Sequence, residues 1–228
     1  MNSIKNKVAH RIFSLLLTKN YTSTNSCVTY PKNATVYGNH FNGKIAIGKN
    51  SKILRTECYG QIDIGDHTAL NGPNLSIYAG DGKVAIGNFC SIARNVSIQL
   101  DGHNYNKITS YQIFKNFFHT ENTSEIINNG DMTIGNDVWI GANAMIYGNV
   151  SIGDGAVIGS NSFVNKDVPD YAIVVGSPAK IIKYRFEDDL IKELKQLKWW
   201  HWDEQTLRKN QFLFENELTL EALKKIQL

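Results

Sequence analysis

The chain of 228 residues has little of what cross-links or anchors a protein. Its three cysteines, Cys27, Cys58 and Cys90, are odd in number and widely spaced, which predicts neither a disulfide framework nor a zinc site. The apolar run from Phe13 to Leu17 is too short for a signal peptide or a membrane span. The net charge of +3 comes without a continuous stripe of lysine and arginine, so nucleic acid is not an expected partner. These absences favour a cytoplasmic globular protein.

The N-terminal segment, residues 1–26, is expected to form an amphipathic helix and a lead-in. Apolar side chains fall on one helical face beside basic neighbours, at Ile4, Val8, Ile12, Leu15 and Leu16. Such a stripe usually packs against the body of a globular protein. Basic neighbours also suit a membrane surface, so a membrane-peripheral position stays open.

What the chain does contain is an internal repeat with a period of six. In its C-terminal half, aliphatic residues recur at Ile134, Ile140, Ile146, Ile152, Ile158 and Val164. Glycine follows four of them, and a small or apolar residue precedes each by two positions. The same register is present earlier, first in a less regular run and then in a regular one, at Ile47, Ile53, Tyr59, Ile64, Leu70, Ile86, Ile92 and Ile98.

A period of six fits neither an α-helix nor a half-buried strand. It fits coils of three short flat strands around a triangular prism, with the aliphatic residue inside each face and glycine or asparagine at the corners, where φ is positive. Successive coils then stack about 4.8 Å apart through parallel ladders. We therefore predict an all-β fold, a β-helix over residues 27–182. Leucines at helical spacing predict a helical extension over residues 183–228.

The pattern resembles that of the hexapeptide-repeat acyltransferases, which implies that the β-helix is left-handed. A long excursion, residues 99–131, interrupts the repeat, and an excursion of this length from a compact domain is usually functional. The stretch from His103 to Tyr111, followed by Phe114, resembles the active-site loop of the xenobiotic branch of that family. This branch includes chloramphenicol acetyltransferases and glycan O-acetyltransferase relatives. Gln112-Ile113 stands where the branch commonly has proline.

The resemblance implies that His103 is the general base. Imidazole titrates near neutral pH, so it can take a proton from an acceptor hydroxyl or amine and pass it on. Either Asp101 or a backbone carbonyl could orient the ring. Trp139 is expected to point outward from the prism; the resemblance places it at the site, and an anchor at a subunit interface is the alternative. The residues expected to line the acceptor site are Trp139, Tyr105, Tyr111, Asp101 and His119.

Coenzyme A is implied by the same resemblance, along the last coils and their Gly-Ser-Pro-Ala-Lys turn. Flat strands offer backbone groups to the pantetheine amides, and basic side chains cluster where the phosphates would fall. No metal site is expected, because no close pair of histidines is present. The expected cofactor-binding residues are Gly141, Ala142, Gly159, Ser160, Lys166, Pro178, Lys180, Lys183 and Arg185.

These features predict an acetyl-CoA-dependent O-acetyltransferase that acts by direct transfer on a sugar hydroxyl of a cell-surface polysaccharide, a capsule or a lipopolysaccharide. Two alternatives stay open: an N-acetyltransferase of an amino sugar or sugar nucleotide, and a non-catalytic β-helix binding protein. Because the prism faces stay hydrophobic and the family's active sites lie between subunits, the resemblance also implies a homotrimer.

Overall fold

The computed structural model describes residues 18–227, so the predicted N-terminal helix lies outside the described residues except for its lead-in. The strands are β1 (Tyr21–Thr22), β2 (Cys27–Thr29), β3 (Thr35–Tyr37), β4 (His40–Ile47), β5 (Lys52–Ile64), β6 (Ala69–Ile86), β7 (Ser91–Ile92), β8 (Ser97–Gln99), β9 (Gly102–His103), β10 (Ile126–Ile127), β11 (Met132–Ile134), β12 (Trp139–Ile140), β13 (Met145–Tyr147), β14 (Ser151–Ile152), β15 (Val157–Ile158), β16 (Phe163–Val164), β17 (Ala172–Val175) and β18 (Lys180–Tyr184). Most of them join one large sheet whose ladders are parallel except between β17 and β18, which pair antiparallel, and this sheet winds into the predicted β-helix.

The β-helix has three faces, each a parallel ladder of one strand segment per coil. Face A stacks the segments that contain Thr35, Lys52, Ala69, Ser91, Trp139 and Val157. Face B stacks those that contain His40, Glu57, Ser76, Ser97 and Met145. Face C stacks those that contain Lys44, Gln61, Lys83, Met132 and Ser151. The chain passes from B to C to A in each coil, so three columns of corners separate the faces.

The aliphatic residues of the repeat fill the prism interior, as predicted, and they form one continuous core. The register differs from the prediction at Tyr59, whose place in the interior is taken by the buried Cys58. The turn from Ile53 to Cys58 through Arg55 is one residue shorter than the repeat, so the alternation shifts and Tyr59 points outward.

The position two residues before the aliphatic one has a structural role at the corner between faces C and A. The side chains of Ser51 and Thr68 each donate a hydrogen bond to a glycine carbonyl of the next coil, at 2.7 Å in both cases. Cys90 donates in the same way to the carbonyl of Gly135, at 3.1 Å. A small donor is therefore favoured there because it satisfies a corner carbonyl that a strand ladder cannot reach.

The coils before the excursion differ from those after it. Strands β4, β5 and β6 run through corners without a break, whereas the later strands of faces A, B and C are mostly two or three residues long. At the corner between faces B and C, the early coils place Gly43, Gly60 and Gly80 above one another with positive φ. A Cβ on Gly43 would overlap the Gly60 carbonyl, so this column of the prism carries bare backbone.

The C-terminal extension packs on the corner between faces C and A. Its helical segments are α1 (Asp188–Leu197), a 3-10 turn (Trp199–His201), α2 (Glu204–Lys209), a 3-10 turn (Gln211–Phe214) and α3 (Leu220–Leu223). Leu190 and Leu194 pack with Tyr171, and the buried Trp200 accepts a hydrogen bond through its carbonyl from Asn88 Nδ2 at 3.2 Å. In the part of the chain that the structure describes, helices are too short or too polar to span a bilayer.

Candidate active site

The excursion leaves the prism at the corner between faces B and C, directly above the glycine column. Its two ends pair as the antiparallel strands β9 and β10, with His103 opposite Ile126. The amide of Asn104 donates to the carbonyl of Glu125 at 2.8 Å, which extends the pairing by one residue. His103 therefore stands at the rigid base of the loop and not at its tip.

The hydrogen bonds of the His103 ring define its tautomer. Nδ1 lies 2.5 Å from the carbonyl oxygen of Ser110, which can only accept, so Nδ1 carries the proton. Nε2 then carries the lone pair of the ring, and the side-chain amide of Gln112 lies 3.2 Å from it in a position to donate. This is the arrangement of a histidine prepared to take a proton at Nε2. The sequence left either Asp101 or a backbone carbonyl as the group that orients the ring. In the structure it is the backbone carbonyl of Ser110.

Asp101 has a different environment from the one that an orienting carboxylate would need. Its carboxyl group lies against Gly80 of the preceding coil, where a Cβ would overlap it. Burial, and then the charge of Asp81, raises the pKa of Asp101 above its ordinary value. Asp101 thus closes the corner beneath the excursion.

The loop is braced from inside by Glu125, a carboxylate that is only 8% exposed. It accepts hydrogen bonds from the amides of Phe114 and Lys115, at 3.0 and 3.4 Å. These residues begin a π-helical turn, Phe114–Phe118, while Glu125 ends the 3-10 turn Thr123–Glu125. A buried acceptor for two loop amides fixes the far side of the loop relative to His103.

A cleft of about 870 Å³ opens between the excursion and the early coils. Its lining includes His103 and Asp101, which were predicted, and a set of residues from β4, β5, β6 and the loop that sequence reasoning missed. The missed lining residues are Asn42, Gly43, Tyr59, Gly60, Tyr78, Gly80, Asp81, Gln99, Gly102, Gln112, Lys115, Glu121, Asn122, Thr123, Glu125 and Ile126. Only the irregular register around residue 59 could have marked this face as unusual.

Two tyrosines form one rim of the cleft. The rings of Tyr59 and Tyr78 stack at 4.6 Å with an angle of 5° between their planes. Tyr59 Oη lies 2.8 Å from His40 Nδ1, and Tyr78 Oη donates to Glu57 at 3.2 Å. Burial, followed by the negative charge of Glu57, raises the pKa of Tyr78 to about 12, so its hydroxyl stays neutral at physiological pH.

The other predicted acceptor residues lie outside this cleft in the single chain. Tyr105 and Tyr111 are exposed on the loop, and His119 follows the π-helical turn in a left-handed conformation. Trp139 lies on face A with 54% of its surface exposed, as expected for an outward position.

The predicted cofactor residues fall into two groups. Gly141 packs directly on Ser160 of the next coil, and Gly159 packs on Val175 of the one after, at the corner between faces A and B. Ala142 and Pro178 belong to the same corner, and its small glycine, alanine and serine residues make it a flat corner column. Gly141 is buried by this stacking, whereas Gly159 is half-buried and Ser160 is exposed, so a ligand can reach the column at Gly159 and Ser160.

The basic residues are more dispersed. Lys166, Lys180 and Lys183 are exposed. Arg185 is engaged elsewhere: its guanidinium donates to Asp137 Oδ2 and to the carbonyl of Gly155, both at 2.8 Å. The same group lies over the ring of Phe186. Because these contacts lie at the corner between faces C and A, Arg185 holds the C-terminal hairpin in place and does not join the flat corner column.

Comparison with known proteins agrees with this architecture. The model of the family described as bacterial transferase hexapeptide (six repeats) matches residues 131–166. A protein of Lysinibacillus sphaericus named "Probable macrolide acetyltransferase" is 42% identical over 154 residues, which cover 64% of this chain and 84% of that protein. A chloramphenicol acetyltransferase of Morganella morganii is 46% identical over 126 residues, covering 53% of this chain and 60% of that protein.

Two more distant proteins extend the comparison. Galactoside O-acetyltransferase of Escherichia coli K12 is 36% identical over 115 residues, covering 48% of each chain. Among solved structures, an N-acyltransferase from Bacillus cereus in complex with dTDP and coenzyme A matches with a TM-score of 0.56, at 21% identity, over 83% of this chain and 95% of that one. The last match concerns the fold.

The fold, the repeat and these relatives together define an acyltransferase, and the chain belongs to the hexapeptide-repeat acyltransferase family. Its relatives include the chloramphenicol and macrolide acetyltransferases, as the loop motif predicted. Membership confirms the predicted enzyme class and the predicted co-substrate, acetyl-CoA.

Proposed function

We propose that the chain transfers the acetyl group of acetyl-CoA to a sugar hydroxyl of a cell-surface polysaccharide, a capsule or a lipopolysaccharide, with His103 as the general base. The proposal depends on one observation, the pair of hydrogen bonds that leaves Nε2 of His103 as the basic nitrogen. A relative whose name records O-acetylation of a galactoside supports a sugar hydroxyl as acceptor.

The proposed chemistry is a direct transfer. Nε2 of His103 removes the proton of the acceptor hydroxyl as its oxygen attacks the thioester carbonyl carbon. When the tetrahedral intermediate collapses, the carbon–sulfur bond breaks, and the proton on Nε2 passes to the departing thiolate. The Ser110 carbonyl stabilises the imidazolium between these steps, because Nδ1–H keeps its acceptor throughout. None of the free cysteines lines the cleft, which fits a mechanism without an acyl-enzyme.

The positions of the His103 loop and of the flat corner column support a homotrimer with the active site between subunits. His103 rises from the corner between faces B and C, whereas Gly141, Gly159 and Ser160 line the corner between faces A and B. In this proposal, the loop of one subunit meets the flat corner of the next. Trp139, exposed on face A, would then face the neighbouring subunit. Lys166, Lys180 and Lys183 remain proposed phosphate contacts, and Arg185 is withdrawn from that set.

The proposed compartment is the cytoplasm, where acetyl-CoA is available. All three cysteines are free, as is usual for proteins of a reducing compartment. Membrane-peripheral contact through the N-terminal segment also remains a proposal.

The test of the base is the His103→Ala variant, assayed by thiol release from acetyl-CoA with capsular and lipopolysaccharide sugars, amino-sugar nucleotides and chloramphenicol as acceptors. We expect turnover with a sugar hydroxyl and a loss of about a thousandfold in kcat for the variant, the usual size of a general-base contribution. Acetyl-CoA binding, measured by calorimetry, should be unchanged. Activity that survives the substitution would exclude His103 as the base.

The subunit arrangement is tested by complementation. Ser160→Trp blocks the flat corner at an exposed position, and His103→Ala removes the base. If each site uses two subunits, refolding an equal mixture of the two inactive variants restores part of the activity, because some sites then combine an intact loop with an intact corner. Mixtures that stay inactive would show that each site belongs to one subunit.

A further inference from the structure

The cleft at His103 does not end at the catalytic coil. It continues along the corner between faces B and C past Gly80 and Gly60 to Gly43 and Asn42. Successive coils lie about 4.8 Å apart, so the cleft extends about 14 Å from the coil of His103. This length exceeds one pyranose ring, and a single sugar at Nε2 would leave the distal part empty.

The floor of this distal part is backbone. A Cβ added at Gly43 would overlap the backbone of the next coil, one at Gly60 would press on Ala79, and one at Gly80 would meet the Asp101 carboxyl group, so side chains are disfavoured along this column. Apart from the Asp101 carboxyl group against Gly80, the floor is bare backbone, and with Tyr59 and Tyr78 on its rim it forms a trough in which an extended ligand can lie lengthwise. The loop residues that face the rim supply the opposite wall.

The charges along the cleft select against a phosphorylated ligand. Among the described residues that line the cleft, one is a lysine, Lys115, and four are acidic: Asp81, Asp101, Glu121 and Glu125. A nucleotide diphosphate placed here would meet several carboxylates and one ammonium group, which is electrostatically unfavourable. Hydroxyl groups are better matched, because carboxylates, the Asn42 amide and the tyrosine hydroxyls can all exchange hydrogen bonds with them.

We propose that the acceptor is an uncharged oligosaccharide of two or more units, bound lengthwise over the glycine column with its reacting hydroxyl at His103. This inference rests on the proposed function and restricts it, since it excludes sugar nucleotides as the preferred acceptors. Sugar units beyond the reacting one occupy the part of the cleft between Gly80 and Asn42.

The experiment blocks the distal end without touching the base. Asn42 is exposed at the far end of the cleft, and Asn42→Trp fills that end. Lys44→Trp, on the same strand but outside the cleft, is the matched control. Both variants and the unmodified protein are assayed for His103-dependent thiol release with neutral gluco- and galacto-oligosaccharides of one to four units and with UDP-linked sugars.

We expect kcat/KM to rise about tenfold or more from one unit to three, a gain that corresponds to about 1.4 kcal/mol of additional binding. Asn42→Trp should remove this gain, so that three units react no faster than one, and Lys44→Trp should keep it. A preference for UDP-sugars, equal rates for one and three units, or a gain that Asn42→Trp does not affect would each overturn the inference.

Failure of the two proposals can be told apart. If a monosaccharide or a nucleotide sugar is acetylated and His103→Ala abolishes the reaction, the acetyltransferase proposal holds and only the oligosaccharide inference fails. If no sugar of any length releases thiol from acetyl-CoA, both proposals are contradicted.

Discussion

The coils before the excursion and the coils after it bury the same kind of aliphatic interior but build different corners. After the excursion, strands of two or three residues alternate with regular turns, and the family model matches this part of the chain, residues 131–166. Before it, β5 and β6 run through their corners, and the spacing of interior residues departs from six. The regular coils carry the flat corner column that is proposed to bind coenzyme A, whereas the irregular coils line the cleft. Irregularity in a repeat fold thus marks where the acceptor site is proposed.

The interior of the regular coils should be the most sensitive to truncation. Ile158 is fully buried, and Ile158→Ala should reduce the free energy of unfolding by about 3 kcal/mol through lost burial and a cavity. Cys58→Ala removes one buried sulfur from the irregular coils, against three carbons at Ile158, and should cost about 1 kcal/mol. Urea unfolding followed by circular dichroism measures both. Equal losses would contradict a cost that depends on the number of buried atoms removed.

The corner between faces B and C offers a matched pair of glycines. Gly43 has a φ of 136° and packs on Gly60, whereas Gly148 has a φ of 81° and open space around its Cβ position. Gly148→Ala should lower stability by about 1 kcal/mol, the cost of a left-handed residue. Gly43→Ala adds a backbone overlap and should cost about 3 kcal/mol. Thermal unfolding of the two variants measures both losses of stability. A larger loss for Gly148→Ala than for Gly43→Ala would contradict the explanation that contact between coils requires glycine in this column.

The ion pair of Arg185 should stabilise the late coils and the hairpin together. Arg185→Met should cost about 2 kcal/mol at neutral pH, because a hydrogen-bonded charge is lost and the Asp137 carboxylate is left with less compensation. Burial already raises the pKa of Asp137, with the Arg185 charge acting against that shift. Without Arg185 the pKa of Asp137 rises further. Lowering the pH through the range in which Asp137 titrates then protonates its carboxylate, so the stability difference between Arg185→Met and the unmodified protein becomes smaller.

Denaturant unfolding of Arg185→Met as a function of pH measures this dependence. Lys192→Met, which breaks the exposed pair with Asp189, is the control and should show no measurable change. If the stability difference between Arg185→Met and the unmodified protein grows as the pH falls, the role given to Asp137 is contradicted.

The smallest effect is expected at Gln112. Its amide occupies Nε2 of His103 and must leave before an acceptor hydroxyl can bind there. Gln112→Ala should therefore raise kcat/KM for the acceptor by at most about fivefold, equivalent to one ordinary hydrogen bond of about 1 kcal/mol. Gln99→Ala, which lines the cleft without contacting His103, should not change it. A fall in kcat with Gln112→Ala would instead assign this residue to holding the ring in position.

The fold could be predicted because a hexad repeat has few physical solutions, and the interior positions from Ile134 to Val164 occur as predicted. The shift at Tyr59 escaped prediction because it follows from one short turn. For the site, the loop motif identified the xenobiotic branch, and the role of His103 remains a proposal. The lining residues Asn42 and Tyr78 could not have been found by spacing, since only the stacking of coils brings them into the same cleft as His103.

The carbonyl that orients His103 has a consequence for how this enzyme can change over generations. Every amino acid carries a carbonyl, so any substitution at Ser110 that keeps the backbone path leaves the partner of Nδ1 in place. An insertion or deletion between His103 and Ser110 would move that carbonyl away. Substitutions in the loop therefore leave this hydrogen bond in place, whereas changes of loop length break it. Acceptor preference can then change while the proposed base keeps its orientation.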